Sequence, residues 1–178
     1  MDKVQIHDKI FKKYISESEI GKIVSRLAGE LSADYRDLNP IVIPILNGSF
    51  VFAADLLRAI DFDPQISFVK YSSYSGTQST GVVKKLIGFP ESVENRHVLL
   101  LEDIIESGIS MKCTLQQLRD LHPASIRICT FLHKPNLFDG SFPIDYIGKC
   151  IPNDFIVGYG LDYNGLGRTL KSVYVIDD

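Results

Sequence analysis

Apolar residues recur along this chain with two different periods, and the alternation between them marks out its elements. After Ser16-Glu17-Ser18-Glu19, which has capping-box spacing, Ile20, Ile23, Val24, Leu27 and Leu31 follow at helical intervals. The spacing predicts an amphipathic helix whose apolar stripe is core. Ile41-Val42-Ile43-Pro44-Ile45-Leu46 is instead a short β-branched run closed by Asn47-Gly48-Ser49, beyond which Phe50, Ala53, Ala54 and Leu57 return to helical spacing. The same strand, turn and helix recur from Val98-Leu99-Leu100-Leu101 through a turn at Gly108 to a helix carrying Leu115, Leu118 and Leu121, stopped at Pro123. A further strand runs from Ile126 to Leu132. Strands apolar on both sides, alternating with helices, imply a mainly parallel sheet flanked by helices on two faces, an α/β fold.

Composition narrows this picture only slightly. The 178 residues, 45% hydrophobic and 23% charged, suit one domain over residues 1–178 with a single organising core. A net charge of -3 provides no basic field, which argues against nucleic-acid and anionic-membrane partners and makes any phosphate binding local. The N-terminus mixes Asp2, Lys3, His7, Asp8 and Lys9 into its apolar residues, unlike a signal peptide, and no apolar run reaches spanning length. A soluble, cytoplasmic protein is expected. Cys113, Cys129 and Cys150 are odd in number, widely spaced and set among apolar neighbours, as expected of buried reduced thiols. His7, His97, His122 and His133 lack ligand spacing and are read as structural or solvated, and Asp2, Asp177 and Asp178 as solvated termini.

Candidate chemistry concentrates where the second apolar run meets Glu102-Asp103-Ile104-Ile105-Glu106-Ser107-Gly108-Ile109-Ser110. Ligands of open α/β sheets bind beyond the carboxyl ends of strands, where this strand delivers two acids. The turn after it can aim backbone N–H groups and the Ser107 and Ser110 hydroxyls at a phosphate, with the helix N-terminus favouring negative charge. Acids near a helix start are also common caps, and the spacing alone serves cap and site equally. The glycine spacing is neither that of a Walker loop nor that of a dinucleotide-binding turn. Between the two strand–turn–helix units, residues 72–81 form a small polar stretch around Tyr74, of the kind that is more often functional or mobile than merely connective.

These residues resemble the type I phosphoribosyltransferases, and among them the hypoxanthine-guanine enzymes. Glu102 to Gly108 is similar to the family's ribose-phosphate motif, Ile43 to Ser49 to its pyrophosphate loop, and Ser73-Tyr74 to its mobile catalytic loop. Lys134, in Leu132-His133-Lys134-Pro135, resembles the base-recognition lysine, and the segment from Ile151 to Asn164 with Arg168 resembles the purine-binding hood. Five ordered segments thus span almost the whole chain.

The resemblance implies a core over about residues 14–150, with a small hood built from the N-terminal segment and about residues 150–178. It implies phosphoribosyl pyrophosphate and a 6-oxopurine as substrates, Mg²⁺ as cofactor, and assembly into a homodimer or homotetramer. Glu102, Asp103, Ile105, Glu106, Ser107, Gly108, Ile109 and Ser110 would hold the ribose and 5-phosphate. Leu46, Asn47, Gly48 and Arg168 would meet pyrophosphate, while Lys134, Phe155, Ile156 and Asp162 would meet the purine. Glu102, Asp103 and Asp162 would approach metal, with Glu106, Ser73 and Tyr74 catalytic. The chain departs from the family pattern in four ways. Glu106 replaces an aspartate, Ser107 and Ser110 replace threonines, Asn47 stands where many members carry lysine, and Thr169 replaces an acid. A xanthine-preferring relative, a non-catalytic regulator and a generic phosphate-binding module remain alternative readings.

Overall fold

In the computed structural model, which describes residues 2–72, 84–88 and 92–177, the chain begins with a hairpin of β1 (Lys3–Ile6) and β2 (Lys9–Ile15). Ser16 then caps α1 (Glu17–Tyr35), its hydroxyl accepting from the Glu19 backbone N–H at 3.2 Å. The Glu19 carboxylate accepts from Lys149 Nζ at 2.6 Å rather than completing the predicted box. Ile20, Ile23, Val24, Leu27, Ala28, Leu31 and Tyr35 form the buried stripe of α1, as the period requires.

The first apolar run is β3 (Ile41–Leu46), followed by α2 (Phe50–Ala59). Here the predicted face is corrected. Phe52, Ala53 and Leu56 are buried, whereas Phe50 is 42% exposed and Ala54 faces solvent. Almost every residue from Phe50 to Leu57 is apolar, so the period could not select a face. Next come β4 (Gln65–Ile66), β5 (Val69–Ser72), β6 (Lys84–Ile87), β7 (His97–Ile105), α3 (Ile109–Arg119), β8 (Ser125–His133) and β9 (Tyr146–Cys150). Because α3 ends at Arg119, Leu121 lies beyond it, 41% exposed.

The main sheet runs β6-β5-β3-β7-β8-β9, with β4 beside β3, and its pairs are parallel except β5 with β6. Alternation along the strands supplies two cores. Val42, Leu99 and Leu101 pack towards α1 and α2, while Ile41, Ile43, Val98 and Leu100 pack with Met111, Leu115 and Leu118 of α3. Helices on both faces therefore leave the carboxyl ends of β3, β7 and β8 free to carry a site. A second, antiparallel sheet of order β1-β2-β11-β10 unites the chain's two ends through β10 (Ile156–Val157) and β11 (Val173–Ile176), over a core that includes Phe11, Val157 and Tyr174.

Two expectations on side chains change. All three cysteines are free thiols, but only Cys129 is buried; Cys150 is exposed because it ends β9, an edge strand. Asp177 is not merely solvated, since it meets Lys3 at 2.5 Å and Lys12 at 3.2 Å and so ties the two ends of the chain. Among the described residues no helix is long and apolar enough to cross a membrane.

Candidate active site

β7 is buried from Val98 to Leu101, after which Glu102, Asp103 and Ile104 emerge as partly buried residues and buried Ile105 closes the strand. Consecutive strand residues point to opposite sides, and the two acids diverge accordingly. Glu102 lines a cavity of about 160 Å³ with Ile104, Ile105, Glu106, Ser107, Gly108, Ile109, Ser110 and Met111, whereas the Asp103 carboxylate turns towards Gly48. Gly108, at φ 77°, is the N-cap of α3 and supplies no side-chain cap, which leaves the first-turn N–H groups of the helix for a ligand. The cap reading of these acids is thus displaced by the geometry.

Lys134 is not the surface lysine its position before a proline could suggest. Its side chain is 5% exposed, its backbone N–H donates to Ile105 O at 2.9 Å, and its ammonium forms an ion pair with the Glu106 carboxylate, which is 49% exposed. A buried ammonium needs such a counter-charge. His133, one residue earlier, is also buried and places Nδ1 3.2 Å from the same Ile105 carbonyl, so the end of β8 is fastened to the end of β7 twice.

The facing wall comes from two loops. The Leu46–Asn47 peptide is cis, and Ser49 Oγ donates to Ile45 O at 2.6 Å across the turn. A Cβ added at Gly48 would lie 1.7 Å from Asp103 Oδ2, and one added at Gly160 would lie 2.1 Å from Gly48 O. Only glycine permits both approaches. Beyond Gly160, Arg168 Nη1 donates to Gly160 O at 2.6 Å and Nη2 meets Asp162 Oδ1 at 2.6 Å, while Asp162 Oδ2 accepts from Gly165 N at 2.7 Å. Asp103, Gly48, Gly160, Arg168 and Asp162 therefore form one continuous wall.

Phe155 stands apart from both groups. Its ring is 44% exposed and lies against Phe11 and Tyr163, with centroids at 6.1 and 5.7 Å, while Ile156 pairs with Val175 in the second sheet. Ser73 and Tyr74 lie outside the described residues. The sequence reading gave no role to Tyr159, whose hydroxyl donates to Asp55 Oδ2 at 2.7 Å. Its sequence signal is a tyrosine between two glycines, Gly158 and Gly160.

Burial pushes the Glu102 carboxyl well above its usual range, and the neighbouring Asp103 charge acts in the same direction. Burial also pushes Asp103 from 3.8 up to about 6, against lowering by backbone N–H groups and Arg168, while Asp162 adds to the rise. An acid with a raised folded pKa holds its proton more tightly folded than unfolded. Its stabilising contribution is complete below about pH 4 and is lost as pH rises through about 6. The metal-free protein is therefore expected to lose thermal stability over that interval, and Asp103→Asn to flatten the loss, as read by calorimetry in chelator. A wild-type curve with no greater slope than the variant's would contradict this. Asp139, which Lys112 and Ser141 hold down at about 2, acts with the opposite sign and only at lower pH.

A family model described as phosphoribosyl transferase domain matches residues 13–164 of the chain. The hypoxanthine-guanine phosphoribosyltransferase of Staphylococcus epidermidis is 39% identical over 169 residues, covering 94% of each chain. A crystal structure of a hypoxanthine phosphoribosyltransferase from Staphylococcus aureus superposes with a TM-score of 0.88 at 37% identity, covering 93% of this chain and 91% of that one. One from Bacillus anthracis, a hypoxanthine-guanine phosphoribosyltransferase, gives 0.87 at 35% identity over 93% and 98%. Sheet order, the acids ending β7 and full-length similarity agree, and the chain belongs to the phosphoribosyltransferase family, in its hypoxanthine-guanine branch.

Proposed function

We propose that this chain is a cytoplasmic purine-salvage enzyme that transfers the 5-phosphoribosyl group of phosphoribosyl pyrophosphate to N9 of hypoxanthine or guanine, giving IMP or GMP and pyrophosphate. The observation that carries the base assignment is the Lys134–Glu106 pair. A 6-oxopurine protonated at N7 presents an acceptor, O6, beside a donor, N7–H. A buried ammonium next to a carboxylate is the complementary edge. Adenine offers an amine where the ammonium needs an acceptor, and is therefore rejected.

In this reading N9 bonds to ribose C1 as the C1–oxygen bond to pyrophosphate breaks, with that electron pair leaving on pyrophosphate and the N7 proton passing to Glu106. The sugar acquires oxocarbenium-like charge on the way, as in glycoside hydrolysis. Glu102 and Asp103 hold the ribose hydroxyls and set negative potential beside that charge. The first turn of α3, with Ser107, Gly108, Ile109 and Ser110, takes the 5-phosphate. Leu46, Asn47, Gly48 and Arg168 take pyrophosphate, guanidinium geometry favouring the contact. Phe155 offers its exposed face to the purine, and Ile156 its backbone. Ser73 and Tyr74, outside the described residues, would by the family resemblance help to cover the site and exclude water.

Mg²⁺ fits the acids that are present. Glu102 Oε2 is shielded from solvent and has no hydrogen-bond partner, and the Asp103 charge acts on the same carboxyl. No cluster of three or more ligating side chains occurs among the described residues, and Mg²⁺ is commonly held by one or two carboxylates together with waters and substrate phosphates. Glu102 and Asp103 would hold it, with Asp162 approaching a second ion, and when bound it offsets charge on the departing pyrophosphate. A homodimer or homotetramer belongs to the same reading and rests on the family resemblance.

The test is nucleotide formation by purified protein with phosphoribosyl pyrophosphate and Mg²⁺ across hypoxanthine, guanine, xanthine, adenine and uracil. Rates with adenine equal to those with hypoxanthine would sink the base assignment. Absence of transfer with every base would leave a regulator. Lys134→Ala is expected to lower kcat/KM for guanine by about a hundredfold, through loss of a buried charged hydrogen bond, with affinity for phosphoribosyl pyrophosphate within about threefold. Unchanged base preference would remove Lys134 from the purine site.

A further inference from the structure

Gly158, Tyr159 and Gly160 have φ of 98°, 49° and 101° in succession. Tyrosine enters this region at a cost from Cβ crowding, so its surroundings must hold it there. The backbone does part of that. Gly158 N donates to Leu161 O at 3.0 Å, Tyr159 N to Leu170 O at 2.8 Å and Gly160 N to Arg168 O at 2.9 Å. The last two of these bonds hold the segment against the stretch from Arg168 to Leu170.

The side chain of Tyr159 does the rest. Its ring is buried against Phe131 with centroids 4.9 Å apart, and Phe131 packs on Phe52 of α2 at 5.5 Å. Phenylalanine would serve that packing equally well. The hydroxyl instead reaches Asp55 Oδ2, also on α2, one turn beyond the helix start that follows Asn47-Gly48. One bond thus links the helix behind the first loop to the bend that presses Gly160 on the Gly48 carbonyl, and the Gly160 carbonyl in turn accepts from Arg168.

We propose that Tyr159 is a positioning residue for pyrophosphate: its hydroxyl, bound to Asp55, seats Gly160 against Gly48 and through Gly160 fixes the Arg168 guanidinium. This rests on the reading of Arg168 as a pyrophosphate contact. The ligand class concerned is the diphosphate, so the effect belongs to its binding and not to that of the purine.

The experiment measures both directions of the reaction on the full chain carrying Tyr159→Phe, Asp55→Asn, Asp55→Ala, Arg168→Ala, and Tyr159→Phe combined with Arg168→Ala. Tyr159→Phe and Asp55→Ala are each expected to raise KM for pyrophosphate about tenfold, the scale of a lost hydrogen bond to a charged group, with purine KM unchanged. Asp55→Asn keeps an acceptor and should stay within about twofold of wild type on the same basis. In the Arg168→Ala background, Tyr159→Phe should add less than its full effect, because the part of that effect carried by Arg168 is already gone. The proposal is overturned if Tyr159→Phe leaves pyrophosphate KM unchanged, if purine and pyrophosphate KM rise together, or if the double variant shows the sum of both effects. Arg168→Ala with wild-type pyrophosphate KM would overturn the pyrophosphate reading itself, and the proposal with it. Asp55→Ala, at an exposed helix position, keeps the test valid should Tyr159→Phe fold poorly.

Discussion

Glu106→Gln is expected to slow single-turnover transfer by about a hundred- to ten-thousandfold, the range over which a positioned proton acceptor acts. The amide keeps the length of the side chain and its hydrogen-bonding capacity but cannot take the N7 proton. The structure adds a second consequence. Glu106 is the counter-charge of Lys134, whose side chain is 5% exposed, and the amide leaves that ammonium buried without one. Thermal stability and purine affinity should fall together with turnover in Glu106→Gln, while affinity for phosphoribosyl pyrophosphate stays within about threefold, since the 5-phosphate and ribose contacts remain. Glu106→Asp separates the two effects. It restores a carboxylate one methylene shorter and should recover most of the chemical step. Single-turnover measurement is needed because slow product release can conceal a damaged chemical step. Wild-type single-turnover rates in Glu106→Gln would remove Glu106 from the role of base.

The contact behind this prediction shows where sequence reading reaches its limit. The strand, the turn and the acids at Glu102 and Asp103 follow from an apolar run that ends in charge, and Lys134 follows from a family motif. Nothing in the sequence places Glu106 and Lys134 in contact, because they lie 28 positions apart. The contact exists because β7 and β8 are parallel neighbours in a register that sets Ile105 opposite His133, so the next residue of each strand leaves the sheet side by side. Strand order and register depend on packing over the whole sheet, which local periodicity does not encode. The same applies to Gly48 and Asp103, brought abreast by the pairing of Pro44 with Leu101. The α2 face departs from the period for a different reason: a helix segment that is apolar nearly all round has no polar side to mark which face is buried. The two-faced burial of β3 and β7 was legible because their runs contain no polar residue before the carboxyl end.

Gly48→Ala carries the other large effect, an expected loss of about a hundredfold in kcat/KM for phosphoribosyl pyrophosphate, the scale on which a displacement of about 1 Å at a reacting centre acts. The new methyl would stand 1.7 Å from Oδ2, 2.5 Å from Cγ and 2.9 Å from Oδ1 of Asp103. No such contacts are tolerated, so one partner must move. The Asp103 carboxylate is the softer of the two, because a side-chain end can turn about its own bonds at the cost of its backbone N–H contacts, whereas Gly48 is fixed between β3 and α2. The fold should therefore survive and the carboxylate should swing away from the ribose and metal positions. Calorimetric titration with the Mg²⁺ complex of phosphoribosyl pyrophosphate reads the loss of affinity, and a thermal melt reads the fold. Gly21→Ala is the control, since an added Cβ there meets nothing within 4 Å on a helix that alanine favours. Combining Gly48→Ala with Asp103→Ala completes the argument: once the carboxylate is removed the methyl has room, so the double variant should be no worse than Asp103→Ala alone. Full affinity in Gly48→Ala, or a double variant in which the two losses add, would show that Asp103 is not held in place by the absence of a side chain at Gly48.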